Sequence, residues 1–416
     1  MKIVKTVLAA ILAIAFTLPA MAQGSTSTMT PYSKYGYGIL GDNATGTQRA
    51  MGGVGYAMQN GRQINAKNPA SYVAMDSLTF LWDIGLDLTT VWAKEPGGSS
   101  KSTGGGLDYI TMQFPITKYL AGSAGLMPYT SVGYSFGSDI TYGAEARTGT
   151  GGINQLYLGL SGQPFKGFSV GANVYYLFGN LVNDIYVTTD ASDVTLFERV
   201  MQVRDWNATF GMQYNLKFNK KHQATVGAVF TPGKSVHGTT FGVYYDVVND
   251  ENLPDTVGYG KMKNGYSMPE TYGAGISYTY DNRFNFELDY TYQPWSKAKF
   301  GKIENFEDSR LVDRWKLGFG TQIVPSLRGG YLGRINYRFG AYYSHDYITI
   351  DTNNMREWGL TLGFGLPAPG SKTVFNIGFE YKRRYTAPVK LVTEDYFNLT
   401  LSVNFNEMWF WKNKIN

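Results

Sequence analysis

The sequence predicts an all-β fold, a fourteen-stranded antiparallel transmembrane β-barrel with an N-terminal plug (hatch) domain. Three observations carry that expectation. From Thr271 to Tyr292, apolar Tyr272, Ala274, Ile276, Tyr278 and Tyr280 alternate with small or polar residues. After Asp281-Asn282 the alternation resumes with Phe284, Phe286, Leu288, Tyr290 and Tyr292. Successive side chains of a strand point to opposite faces, and Asp-Asn accepts the left-handed backbone of a tight hairpin. The pattern recurs down most of the chain, with aromatics at 15% and charged residues at 17%. Apolar rows so rich in tyrosine and phenylalanine suit lipid on one side and a polar lumen on the other. Finally, the connections sort by parity, short after even strands and mostly long after odd ones, as short periplasmic turns and long outer loops would be.

The first residues set the address. Lys2 and Lys5 precede the apolar run from Val7 to Leu18, and Ala20-Met21-Ala22 offers a small-x-small cleavage site, so residues 1–22 read as a secretory signal peptide. The remaining chain has no apolar run long enough for a helical membrane span. A Gram-negative outer membrane fits, with both termini periplasmic. The absence of cysteine excludes disulfides, thiol catalysis and a lipid-modified N-terminal cysteine. Net charge is +5, and no basic cluster with interleaved aromatics points to nucleic acid.

Residues 23–77 are turn-rich rather than alternating, with Tyr32, Tyr35, Tyr37, five glycines between Gly36 and Gly53, and Asn68-Pro69. They are too apolar for a disordered tail and read as a plug inside the barrel. Residues 78–407 form the barrel. Alternation and turn chemistry place strands near 78–92, 105–116, 119–135, 151–163, 166–182, 201–218, 222–247, 262–281, 283–298, 310–324, 331–350, 355–367, 372–385 and 394–406. On the third, Gly122, Gly125 and Pro128 mix small residues with a missing ladder donor, which predicts a kink or a gap in the wall. The lumen face carries Glu287 and Asp289, expected to oppose Arg314 and Lys316, then Arg334 and Arg338, with Glu380 and Lys382 further round. These charges suit a hydrated wall, and the basic strip would also suit an anionic ligand. Residues 408–416, with Trp409, Phe410 and Trp411 among lysines, form a periplasmic aromatic and basic tail.

Motifs for catalysis do not hold up. Gly133 to Gly137 matches G-x-S-x-G, but it lies in glycine-rich strand where the nucleophile elbow needs a strand-to-helix turn. Gly233-Lys234-Ser235 lacks the first glycine of a phosphate loop. Ser344-His345-Asp346 would split between the two faces of one strand. Metal-ligand spacing is absent. The chain is expected to be no enzyme and to need no cofactor.

Arg49-Ala50, Gly52, Gly53, Gly55 and, above all, Asn68-Pro69-Ala70 shortly before the first strand resemble the plug and first strand of the FadL/TodX family of outer-membrane transporters. Gly359 to Pro367 and Asn376 to Arg383 are similar to late strands of these barrels. Asp395-Tyr396-Phe397 and Trp409-Phe410 resemble the Bacteroidetes branch. The resemblance implies passive uptake of hydrophobic or amphipathic small molecules such as long-chain fatty acids, with lateral exit near a kinked third strand. It assigns plug and gating roles to Arg49, Gly53, Asn68, Pro69 and Ala70, with Asn68-Pro69-Ala70 supporting the kink. Expected partners are outer-membrane lipids and a hydrophobic small-molecule ligand. Loop 183–200, with Asp184, Asp190, Asp193 and Glu198, is hardly greasy. The alternative is a plugged barrel serving as a structural or assembly subunit of an envelope protein complex.

Overall fold

The computed structural model describes residues 30–76, 78–189, 194–247, 255–301 and 310–408. The signal peptide, residues 23–29 and the tail from 409 lie outside the described residues. Fourteen antiparallel strands form the wall, and the order of their ladders follows the chain. They are β1 (Thr79–Glu95), β2 (Gly98–Thr117), β3 (Leu120–Ile140), β4 (Gly143–Phe165), β5 (Phe168–Thr189) and β6 (Val194–Lys217). β7 runs in two pieces (His222–Thr231, Gly238–Val247), as does β8 (Asp255–Lys263, Thr271–Tyr280). Then come β9 (Phe284–Gln293), β10 (Arg314–Ile323), β11 (Asn336–Ile350), β12 (Asn353–Pro367), β13 (Val374–Ala387) and β14 (Thr393–Met408). β14 pairs with β1 from Thr79↔Met408 to Lys94↔Thr393, which closes the barrel and removes a free sheet edge there.

Alternation decides the two faces. On β4, Leu156, Leu158 and Leu160 are exposed while Gln155, Tyr157 and Ser161 are buried. On β9, Phe286, Leu288 and Tyr290 are exposed while Glu287 and Asp289 are buried. The greasy rows therefore face outward, and among the described residues no second sheet covers them. Asp281 and Asn282 both have positive φ, 54° and 52°, as their hairpin requires.

The connections after odd strands are mostly not loops. β1 and β2 continue to a turn at Pro96-Gly97, and β3 and β4 to one at Thr141-Tyr142. β4, β5 and β6 pair through Gly143↔Thr189 and Thr188↔Val194. The expected outer loops 93–104, 136–150 and much of 183–200 are strand extensions, because ladder bonds between neighbours continue past the level where alternation stops being apolar. A second expectation is corrected at the eleventh strand. It begins at Asn336, and Arg334 ends a one-turn helix, Tyr331–Arg334, in the preceding connection.

Ahead of β1, residues 30–76 hold two short 3₁₀ helices (Pro31–Lys34, Pro69–Ala74), a two-residue strand (Ile39–Leu40) and a helical turn (Gly46–Arg49). Tyr37, Ala44, Val54, Ala57, Ile64, Ala70 and Tyr72 are fully buried, each at 0% exposure. Irregular backbone in such a place must bond with side chains. Here the inward faces of many strands supply them. Tyr109 of β2 accepts from Gly46 N at 2.7 Å, Gln213 of β6 donates to Tyr56 O at 2.9 Å, and Thr361 of β12 accepts from Gly52 N at 2.9 Å.

Candidate functional site: a seam between β2 and β3 and the cavity behind it

The ladder between β2 and β3 covers only the short-turn end of the two strands, from Thr117↔Leu120 to Ile110↔Leu126. Beyond it, residues 98–107 of β2 pair with β1 alone, whereas β3 stays paired with β4 up to Ile140↔Gly143. The wall is thus unzipped toward its long-hairpin end. On the β3 side the free edge is met by the N-terminal segment. Ile39 pairs with Ser131 and Leu40 with Thr130, and Thr30 N and Gly41 N donate to Gly133 O and Tyr129 O, both at 2.8 Å.

Pro128 lies two residues past the last β2–β3 pair and marks an irregularity on the other edge of β3. Pro128 has no amide hydrogen, and the register of β3 against β4 shifts between Pro128 and Thr130. Gly122 and Gly125, by contrast, sit in regular ladder opposite Phe114 and Thr111. Of the three residues expected to kink this strand, Pro128 lies at the irregularity.

Behind the seam is a cavity of about 630 Å³ whose lining includes Leu107 and Asp108 of β2, Pro128 and Ser131 of β3, and Ile39 and Leu40. Its inner wall is charged. Arg314 lies 3.6 Å from Asp42, Lys316 also pairs with Asp42, and Lys316 Nζ stands 4.0 Å over the Tyr342 ring. Glu357 holds Arg384 at 2.6 Å and Lys382 at 3.9 Å, and Arg384 reaches Glu394 at 3.7 Å. Burial raises the affinity of Asp42 for a proton, but Lys316, Lys67 and Arg314 outweigh it and hold this carboxyl well below the usual range. Arg49, desolvated but flanked by Asp108 and Asp87, is held firmly protonated.

At the long-hairpin end, aromatic side chains of the N-terminal segment and the wall pack together. Trp295 lies tilted 4.5 Å from Tyr347 and 5.7 Å from Tyr37, and Phe300 meets Tyr37 edge-on at 5.3 Å. Tyr37 N donates to Tyr347 Oη at 3.0 Å, and Trp295, Tyr37 and Tyr347 are all fully buried.

Several sequence expectations about pairing are corrected. Glu287 and Asp289 do not oppose Arg314 and Lys316. Their ladder partners are Gly320 and Gly318. Asp289 instead accepts from Gly55 N at 2.7 Å and Tyr56 N at 3.0 Å, with Lys67 Nζ 4.0 Å away. Arg338 is fully buried against neutral Gln322 and Asn376 at 2.8 and 2.7 Å. Asp289, Arg314 and Lys316 therefore meet the N-terminal segment rather than each other, and Arg334 lies before the eleventh strand begins.

The helical turn that Asn68-Pro69-Ala70 opens touches β3 and packs more extensively on the three strands after it. Asn68 caps the 3₁₀ helix, accepting from Ala70 N at 3.1 Å and donating to Tyr56 O at 2.7 Å and Met212 O at 3.3 Å. Ala70 O accepts from Ser161 at 3.1 Å. The motif packs chiefly on β4, β5 and β6, where Gly171 and Gly211 leave room for Pro69 and Asn68. Gly53, at φ +77°, shares the tight turn after the Gly46–Arg49 helix, where its carbonyl accepts from Lys67.

Asp42, Asp108, Glu357, Arg384 and Trp295 went unnoticed in the sequence. Arg384 and Lys382 do share strand parity with lumen residues, a usable signal, but Asp42 sits in a stretch without periodicity. His345 bonds to Asp313 O at 3.1 Å while Ser344 and Asp346 turn to the cavity, so the three do not converge. Among the described residues no cluster of three metal-binding side chains occurs.

A family model described as BamG matches residues 3–416. No curated protein matches the chain. Among solved structures the chain is similar to a Pseudomonas aeruginosa FadL homologue, at 12% identity over 88% of this chain and 99% of that one, with a TM-score of 0.63. It is also similar to the P. putida toluene transporter TodX, at 14% identity over 89% and 100%, TM-score 0.61. The Ralstonia pickettii toluene transporter TbuX gives 15% over 88% and 98%, TM-score 0.60. At these identities the likeness is one of fold: a FadL-like barrel.

Proposed function

The chain belongs to the BamG family, and from that premise we propose that it works as an outer-membrane barrel passing small hydrophobic or amphipathic molecules passively between its lumen and the bilayer. Residues 30–76 act as its plug, and the exit is sideways, through the seam between β2 and β3. The observation that carries this reading is the unzipped ladder beyond Ile110↔Leu126 with a cavity of about 630 Å³ directly behind it. An apolar tail entering hydrocarbon there avoids an aqueous path. The charged inner wall favours an amphipathic cargo over a bare hydrocarbon.

The test uses the chain's lack of cysteine. Leu40→Cys with Thr130→Cys places two thiols opposite each other on paired strands, within reach of a disulfide. Oxidation is expected to stop uptake of a fluorescent fatty acid by whole cells and reduction to restore it. Uptake indifferent to oxidation overturns lateral exit.

A second reading has its own support, namely the buried aromatic cluster of Tyr37, Trp295 and Tyr347 and the stitching of β3 by Ile39 and Leu40. A barrel stoppered in this way suits a structural or assembly subunit of an envelope complex. Native mass spectrometry of the protein extracted from outer membranes separates the two, since transport expects bound small amphiphiles and a subunit role expects a stoichiometric protein partner.

A further inference from the structure

At the end of the barrel that carries the short turns lies a second cavity, of about 720 Å³, away from the seam. Residues 59–63 of the N-terminal segment line it, together with Arg283 after β8, the 324–336 connection and the 367–374 turn. Inward-facing Asn285 and Gln322 also line it, so it is reached along the bore of the barrel rather than from the bilayer.

Its charge is lopsided. Among the described residues that line it, Arg62, Arg283, Arg334 and Lys372 stand with Asp76 as the single carboxylate. Asp76 is shared between Arg62 Nε and Lys372 Nζ, each at 3.4 Å, and all three side chains are at least 40% exposed. Such long, wet pairs are weak, so an incoming carboxylate displaces Asp76 at little cost. Arg283 donates to the carbonyls of Val324 and Pro325 and lies 5.5 Å over the Phe284 ring, with no carboxylate partner among the described residues. Behind the wall, Arg338 donates to Gln322, itself a lining residue, and its buried Nη2 has no hydrogen-bond partner. The hydrogen bonds of this guanidinium go to neutral groups, and the charge it meets is Asp83. Exposed Leu327, Tyr331 and Leu332 give the same connection an apolar rim, which suits a polypeptide better than a free ion.

We infer that this vestibule docks an acidic, extended segment of a partner protein, whose carboxylates take over Arg62 and Lys372 from Asp76. The inference is independent of passage through the seam.

The test is fluorescence anisotropy of a labelled decaglutamate peptide with the purified full-length barrel in detergent. Saturable binding is expected, weakened at least about tenfold by joint Arg62→Glu and Lys372→Glu substitution. Asp76→Asn is expected to tighten it severalfold, and salt at about 1 M to abolish it. Heat-modifiable gel mobility verifies that each variant remains a folded barrel. Binding that survives the double reversal in a folded barrel overturns the proposal, as does equal binding of a decalysine peptide. Full displacement by equimolar inorganic phosphate would reveal a small-anion site, and preference for phosphatidylglycerol vesicles would reveal a lipid patch. Either result also overturns it.

Discussion

Arg49 Nη2 lies 2.6 Å from Asp108 Oδ2, two residues before the point where β2 begins its ladder with β3. The N-terminal segment is thereby clamped to the β2 side of the seam, just as Ile39 and Leu40 clamp it to the β3 side. Arg49→Ala leaves Asp108 and Asp87 without their cation. A loss of about 1–3 kcal/mol is expected, since the site is only partly desolvated. Urea unfolding in detergent, followed by tryptophan fluorescence, measures it. An unchanged midpoint would mean the clamp contributes nothing.

Asp42 gives a pH test. Its carboxyl is held below the ordinary value of 3.8 by Lys316, Lys67 and Arg314 in spite of its burial. A depressed folded-state value contributes stability above the unfolded pKa and loses it as pH falls further. The parent is therefore expected to lose stability below about pH 4 more steeply than Asp42→Asn, which starts lower at neutral pH. Parallel acid-unfolding curves for the two proteins would contradict this.

Gly211 and Gly106 make a matched pair. A Cβ on Gly211 would overlap Asn68 Oδ1 and come within 2.9 Å of Pro69 Cδ, while one on Gly106 meets nothing within 4 Å. Gly211→Ala should cost about 1–3 kcal/mol by overpacking, and Gly106→Ala much less. The ordering of the two thermal midpoints is the readout. Equal midpoints would show that the Asn68-Pro69 contact tolerates displacement.

Trp295 packs between Tyr37 and Tyr347, so Trp295→Ala is expected to cost about 3–5 kcal/mol and to leave a hole there. Bulky antibiotics that the outer membrane excludes should then enter cells more readily. Sensitivity equal to the parent's, with the barrel still folded, would mean the path is blocked deeper down.

The sequence by itself determined the wall. Alternation in stretches such as Thr271 to Tyr292 assigns side chains to lipid or lumen, and Asp281-Asn282 fixes where the chain reverses, because both signals are local in the chain. Strand number and order followed from them. Only the tertiary structure decided what the lumen side chains meet. Asp289 finds the amides of Gly55 and Tyr56 instead of Arg314, and Asp42 gathers Arg314 and Lys316 from across the bore. Periodicity says which face a residue occupies but not how far a ladder persists, so the gap between β2 and β3 was invisible apart from Pro128. An irregular segment carries no period at all, and its path is set by hydrogen bonds and close packing against many strands at once.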